Sequence, residues 1–424
     1  MDVISLIFNP DLLQLTQTNA TDTLFVLISA ALVLFMTPGL AMFYGGMVRS
    51  KNILSTTMHS FILMSLIGVE WVLIGYSMAF GPDLAGITGN LSFFGLRGVS
   101  WWPSLDYATT IPQAAFMIFQ CMFAVITVAL ISGAFAERIR FSGFLVFSLL
   151  WAVLIYNPLC HWVWGAGGFL GKMGVFDFAG GLVVHLSSGI SALAMVLVIG
   201  PRRGFGAEAF MPNNLALTLA GAGVLWFGWF GFNAGSATAL NSVALSAFVA
   251  TFIAAACGTL VWTGFEWWHR GKATTLGAAS GAVAGLASIT PASGFVGPAA
   301  AMAIGALGGL FCYGAVLLKS RFSYDDSLDV VGIHGMSGVW GSLAVGLFAS
   351  QAINPGGPAG LISSGSISSL LSQLVGVGVT GAFCFLGTLI IAKAVDAVIG
   401  LRAVDEDEVS GLDLSQHSET AYTI

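Results

Sequence analysis

Two histidines stand in matched settings, and no other residues in the chain so plainly combine chemistry with spacing. Asp177 leads after seven residues to His185 and, two residues further, to Ser188-Gly189; Asp326 leads by the same counts to His334 and Ser337-Gly338. Each motif heads an otherwise apolar run. An imidazole can hand on a proton or hold a hydrogen bond to a small neutral molecule. A carboxylate can cap the free amides of a helix start, or steady a nearby cation without touching it. A lone buried histidine is usually a satisfied packing residue, but ionisable groups at mid-membrane are costly and mark substrate or proton routes, and a repeated pair points that way. Two imidazoles are too few for a metal centre, which takes three or four protein ligands, so no metal and no other cofactor is expected. With no His-Glu-x-x-His run and no nucleophile beside a base, an intramembrane hydrolase ranks last.

Aromatic residues gather toward one end of the same segments. Phe119 and Phe123 lie one turn apart and share a helix face. Cys160-His161-Trp162-Val163-Trp164-Gly165 and Trp229-Phe230-Gly231-Phe232-Asn233-Ala234-Gly235-Ser236 close two further apolar runs. In a chain with 32 phenylalanines the Phe pair is by itself ordinary core, and tryptophans at span ends are often interface anchors. Together, however, they set aromatic faces and a hydroxyl around an outer mouth above the histidines. Such faces attract a cation that has shed water, and a hydroxyl oxygen accepts its hydrogen bond. An apolar passage with two neutral imidazoles beneath resists a bare ion and passes a small neutral molecule.

The elements that position these residues are membrane helices. Apolar residues make up 57% of the chain and charged residues only 8%, against about 25% charged in soluble domains. Apolar stretches of roughly 20 residues, enough to cross a bilayer, begin near 24, 55, 113, 142, 177, 213, 242, 273, 296, 327 and 367, so the fold expected is an all-α integral membrane protein with eleven transmembrane helices. Twelve of the 14 Lys and Arg fall in alternate connections; by the positive-inside rule the N-terminus lies outside and the C-terminus in the cytoplasm. The fifth and tenth helices carry the repeated motif and run in opposite directions, as inverted five-helix repeats, helices 1–5 and 6–10, require. The eleventh segment, Ile367 to Leu401, is about 50 Å long if helical against a hydrocarbon core of about 30 Å, and is expected to be strongly tilted. The domains read as a 1–23 extracytoplasmic lead, a 24–401 membrane domain and a 402–424 cytoplasmic tail. Glu70, inside the second helix, is expected in protein-buried pairing or a subunit contact outside the pore.

With these motifs stand Pro38-Gly39 through Phe43-Tyr44-Gly45-Gly46-Met47-Val48-Arg49, Ala136-Glu137-Arg138-Ile139-Arg140-Phe141 and Asp325-Asp326. The set closely resembles the Amt/Mep/Rh ammonium transporter family over nearly the whole chain. The resemblance implies an eleven-helix homotrimer with a pore in each subunit and an outer NH4+ site at Phe119, Phe123, Trp164 and Ser236. It also implies a gate of Phe123 and Phe232, the twin-histidine pair His185 and His334, and a structural acid at Asp177, matched in the second half by Asp326. The tail from Gly400 to Asp413, with Ser418 to Tyr422, is similar to the bacterial branch, where it couples subunits and where a PII signal protein is a partner at the cytoplasmic face. Composition alone reads it as a solvated acidic tail.

The function expected is ammonium transport in the cell inner (cytoplasmic) membrane, by a multi-pass protein that is not an enzyme and binds no nucleic acid. NH4+ is collected outside, loses its proton, crosses as NH3 and is reprotonated inside. Net charge transfer is favoured, because the membrane potential contributes about 2.3 kcal/mol per charge per 100 mV. The alternatives are a neutral NH3 channel of the Rh type and an ammonium sensor acting through the tail. Glu408, Gly411 and Asp413 are expected to matter in the tail, the two carboxylates by reaching basic loops such as Arg138/Arg140 and Arg202/Arg203, and Gly411 by turning the chain.

Overall fold

The computed structural model describes residues 18–422; most of the expected 1–23 lead therefore lies outside the described residues. The first helix, α1, Ala20–Met47, starts four residues before the expected span because Asn19 caps it, its Oδ1 accepting from the amides of Thr21 and Asp22 at 2.9 and 3.1 Å. Next comes α2 in three pieces, Ile53–Glu70, a π turn at Trp71–Gly75 and Tyr76–Phe80. Two small hairpins follow, β1 (Asp83–Leu84) with β2 (Thr88–Gly89) and β3 (Pro103–Ser104) with β4 (Ala108–Pro112), both antiparallel. Helix α3 is Gln113–Ser132, and α4 comprises Phe141–Trp151, a π turn at Ala152–Tyr156 and Asn157–Trp164. The long helices that follow are α5 (Gly181–Ile199), α6 (Leu215–Gly235), α7 (Ser242–Arg270), α8 (Thr275–Ile289), α9 (Pro298–Phe322), α10 (Val331–Phe348) and α11 (Ser368–Val398).

Ten of these units, among the described residues, are long and apolar enough to cross a bilayer. The expected eighth span is shorter: α8 has 15 residues and stops at Thr290-Pro291, where Phe178 docks its amide on the Pro291 carbonyl at 3.1 Å. Helix α11 has 31 residues, about 47 Å at 1.5 Å each, and lies against both α5 and α10. Large apolar side chains remain exposed on outward faces, including Phe61 (59%), Leu260 (72%) and Ile390 (69%), the surface of a protein whose solvent is lipid. The chain is thus a helical multi-pass membrane protein, its described strands confined to the connection between α2 and α3.

Hydrogen bonds at the helix ends fix the running directions. Asn19, ahead of α1, donates its amide to the Thr110 carbonyl of β4. At the other face Arg49, after α1, meets Glu137, after α3, and Arg202, after α5, meets Asp325, ahead of α10. So α5 ends where α10 begins, and the two motif helices are antiparallel. They cross at the glycines of the motif. A Cβ on Gly189 would stand 2.2 Å from the Gly335 nitrogen, and one on Gly338 2.5 Å from the Leu186 nitrogen, so only glycine permits this approach.

Candidate functional site

Asp177 shows how the start of α5 is built. Its Oδ1 accepts from the amides of Gly180 and Gly181 at 2.8 and 2.7 Å, and its Oδ2 from those of Leu182 and Val183 at 2.7 and 3.1 Å. Four amides that a helix start leaves without partners are thereby satisfied. Burial pushes the Asp177 carboxyl up from its ordinary range, and the four amides pull it back. Asp326 does less for α10. Its Oδ2 accepts from the Val331 amide at 2.7 Å, while its Oδ1 is buried without a partner. Burial pushes this carboxyl up as well, against the pull of Lys319. The two acids that look equivalent in sequence are therefore unequal in structure.

Both motif helices open with a π turn, Gly181–Leu186 and Val331–Gly335, and each turn holds the histidine. Such wide turns are frequent at functional sites. The crossing brings the two imidazoles together: Nδ1 of His185 and Nδ1 of His334 are 3.3 Å apart and the rings are inclined by 21°. Two neutral rings can share one hydrogen bond there only if one Nδ1 carries the proton. The donor ring then has a bare Nε2 and its partner an Nε2–H, so the pair offers one acceptor and one donor. Both side chains are buried, and the His185 Nε2 has no partner.

The aromatic residues form a column that ends at His185. Phe119 packs edge-on against Phe123 at 4.9 Å, Trp164 edge-on against Phe123 at 6.1 Å, and Phe123 stacks on Phe232 at 4.2 Å and 28°. Phe232 stacks in turn on His185 at 6.2 Å. Trp164 and Ser236 are half-buried where the column opens, whereas Phe123 and Phe232 are only 1% exposed, so the stacked pair shuts the column. Beyond that pair lies an enclosed cavity of about 10 Å³ lined by both histidines and by Leu40, Phe43, Leu130 and Val283, room for about one water-sized molecule. Trp229, read from sequence as part of the outer mouth, instead stacks on His185 at 5.5 Å and donates its Nε1 to Thr290 at 2.8 Å. Its place one turn before Phe232 was the available signal.

At the other face the tail is folded onto the helices. It forms α12 (Asp405–Ser410) and α13 (Leu412–His417). Glu408 accepts from Arg402 Nε at 2.7 Å and from the Arg203 amide at 3.3 Å, and Asp405 pairs with Arg203. Asp413 does not reach the arginines expected for it. It accepts from the amides of Leu54 and Ser55 at 3.0 and 2.8 Å, capping α2 from a distance, because those first-turn amides have no partner within the helix. Arg138 and Arg140 are likewise engaged elsewhere, on the carbonyls of Gly200 and Ile399. Gly411, at φ +103°, sits where a Cβ would be 2.6 Å from the Lys51 carbonyl.

Between the tail and the start of α10 lies a charged knot centred on Glu137, to which the sequence assigned no role. Glu137 accepts from Arg49 Nε, Asn52 and Arg202 at 2.9, 3.0 and 2.7 Å, and Arg202 also binds both oxygens of Asp325. Burial alone would raise the Glu137 carboxyl, but Arg202 and Arg49 hold it below its ordinary range; Asp325 is held down by Arg202 and Arg138 in the same way.

A family model described as Ammonium Transporter Family matches residues 24–422. The chain is 51% identical over 402 residues to an ammonium transporter of Bacillus subtilis, covering 95% of this chain and 98% of the relative. It is 48% identical over 398 residues to ammonium transporter Amt1 of Archaeoglobus fulgidus, covering 94% and 98%. Among solved structures, Saccharomyces cerevisiae Mep2 superposes with a TM-score of 0.86 at 34% identity, covering 92% of this chain and 89% of that one. A structure titled Sensor Amt Protein does so with 0.86 at 27% identity, covering 96% and 99%.

Proposed function

The chain belongs to the Ammonium Transporter Family, and from that premise we propose that it takes up NH4+ and passes it across the membrane as NH3 while the proton released at the mouth also crosses, so that one positive charge moves inward per NH4+. The observation that carries this reading is the sealed sequence of mouth, stacked phenylalanines and paired imidazoles. Phe119, Phe123, Trp164 and Ser236 receive the cation. Trp164 commits its Nε1 to the Asp177 carbonyl at 2.7 Å, and Ser236 donates its hydroxyl to the Phe232 carbonyl at 2.9 Å. What remains for a guest is a ring face and oxygen lone pairs, an electron-rich set suited to a cation.

Passage requires Phe123 and Phe232 to part. Space for one water-sized molecule beyond them excludes a hydrated metal cation, and stripping its water there without ligands is costly. Ammonia needs no such compensation: it can donate to the bare Nε2 and accept from the partner ring's Nε2–H. Asp177 acts by holding the start of α5, and with it His185, in place. The same reading places the N-terminus outside and the tail in the cytoplasm, assembles the chain as an eleven-helix homotrimer in the cytoplasmic membrane and gives PII signal protein the tail face as its site. A sensor role is the second reading, favoured by the likeness to a structure titled as a sensor. Purified protein in liposomes tests the proposal: an ammonium jump should produce a transient current that an equal potassium jump does not. Electrically silent uptake would turn the proposal to the neutral channel, and no uptake at all to the sensor.

A further inference from the structure

Away from the pore, α2 and α4 share a polar pair that transport does not use. Glu70 is 4% exposed and Asn157 fully buried, and the Asn157 Nδ2 donates to Glu70 Oε1 at 2.8 Å. The second Glu70 oxygen, Oε2, and the Asn157 amide oxygen, Oδ1, are each buried with no hydrogen-bond partner. Among the described residues Glu70 forms no ion pair. The titratable groups that feel it are Cys121 of α3 and Tyr156 of α4, and neither supplies a positive charge. An ionised carboxylate would thus leave an uncompensated charge and two unpaired acceptors inside the span. A proton on Oε2 answers both. Oε2–H would then donate to Asn157 Oδ1 while Asn157 Nδ2 donates to Oε1, completing the two-bond ring of a carboxylic acid and a primary amide.

Two independent features single out the same place. The π turn of α2 begins at the residue after Glu70, and that of α4 ends at the residue before Asn157, so both helices are distorted where the pair forms. An apolar groove of about 740 Å³ opens there between α2 and α4, lined among others by Leu66, Val69, Leu73 and Val153, with Glu70 its single ionisable lining residue. Val69 and Leu73 are 59% and 46% exposed, which sets the groove on the outward surface of the subunit.

We infer that Glu70 is an uncharged carboxylic acid, paired reciprocally with Asn157 and reached from the lipid through this groove, and that it is a modification site for hydrophobic carbodiimides. In that reaction a carboxyl oxygen bonds to the central carbon of the reagent and the O–H proton moves to one of its nitrogens, using one C=N π bond. An oxygen-to-nitrogen acyl shift then leaves an N-acylurea that retains every atom of the reagent, with no oxidation and no leaving group.

The test uses the full chain in liposomes at neutral pH, treated with dicyclohexylcarbodiimide or with a water-soluble carbodiimide, and mass spectrometry of the peptide holding Glu70. The expected result is addition of the whole apolar reagent at Glu70, about ten times more than the water-soluble one gives, and no addition in Glu70→Gln. Infrared difference spectra of wild type against Glu70→Gln should lose a neutral-carboxyl C=O band. No labelling at Glu70, equal labelling by the two reagents, or loss of a carboxylate band instead overturns the inference. The labelling of wild type needs no variant and decides the question if Glu70→Gln does not assemble.

Discussion

Trp164 and Ser236 have spent their protons on the protein, and that gives the mouth its sign. Trp164→Leu and Ser236→Ala should therefore raise the half-saturating ammonium concentration by about 3- to 10-fold, the worth of a partly exposed cation–π or hydrogen-bond contact, with saturated flux little changed. An unchanged half-saturation in both removes the recruitment role. Asp177 calls for a different measurement because its four accepted bonds are structural. Asp177→Ala should lower stability by about 2–4 kcal/mol, read as a fall in Tm, and Asp177→Asn by less, since an amide oxygen still accepts. At this scale the types and spacing of the histidines and aromatics were legible in the sequence. The inequality of Asp177 and Asp326 was not, because it depends on a loop geometry and on Lys319 from another helix. Trp229 was read into the outer mouth although its place one turn before Phe232 pointed deeper.

At the scale of elements, helix spans were legible because lipid demands long apolar runs, and their starts lie within a few residues of expectation. The exception is in length: α8 starts as expected but stops early at the Thr290-Pro291 break that supports the start of α5. The motif glycines could be counted but not explained until α5 and α10 were seen to cross on them. The acidity of the tail and its reach to Arg203 were legible; the seating of α13 was not, because it docks on the Lys51 to Ser55 segment, more than 350 residues away in sequence. Gly411→Asp places a side chain at φ +103° against the Lys51 carbonyl. It should undock α13, seen as faster limited proteolysis within residues 405–417 and as lost transport with the membrane part still folded. Retained protection would show that the turn tolerates a side chain. The charged knot adds a pH dependence. Glu137 and Asp325 are held below their ordinary values of 4.5 and 3.8, so their stabilisation is fully present above about pH 4.5 and is lost as pH falls through their depressed values. Thermal unfolding in detergent should show Tm dropping over that acid window. Glu137→Gln should lower Tm at neutral pH and flatten the acid dependence; an unchanged profile would mean that the knot does not hold the fold.

At the scale of the whole molecule, the tail and the start of α10 meet through Leu412, Asn52, Glu137, Arg202 and Asp325, the residue before Asp326. Within the proposed trimer, such a connection makes tail position a property that neighbours can share. Wild-type subunits assembled with Gly411→Asp subunits should lose more flux than their number accounts for. Strictly proportional loss would make each pore independent of its neighbours' tails.

In the proposed passage one molecule at a time crosses between the stacked phenylalanines and along His185 and His334. The most direct measurement compares ammonium-evoked transient currents in liposomes containing wild type, His185→Ala and His334→Ala, with potassium jumps as the control. Wild type should respond to ammonium alone, and each variant should either lose the response or begin to admit potassium. Wild-type currents and wild-type discrimination in both variants would contradict it.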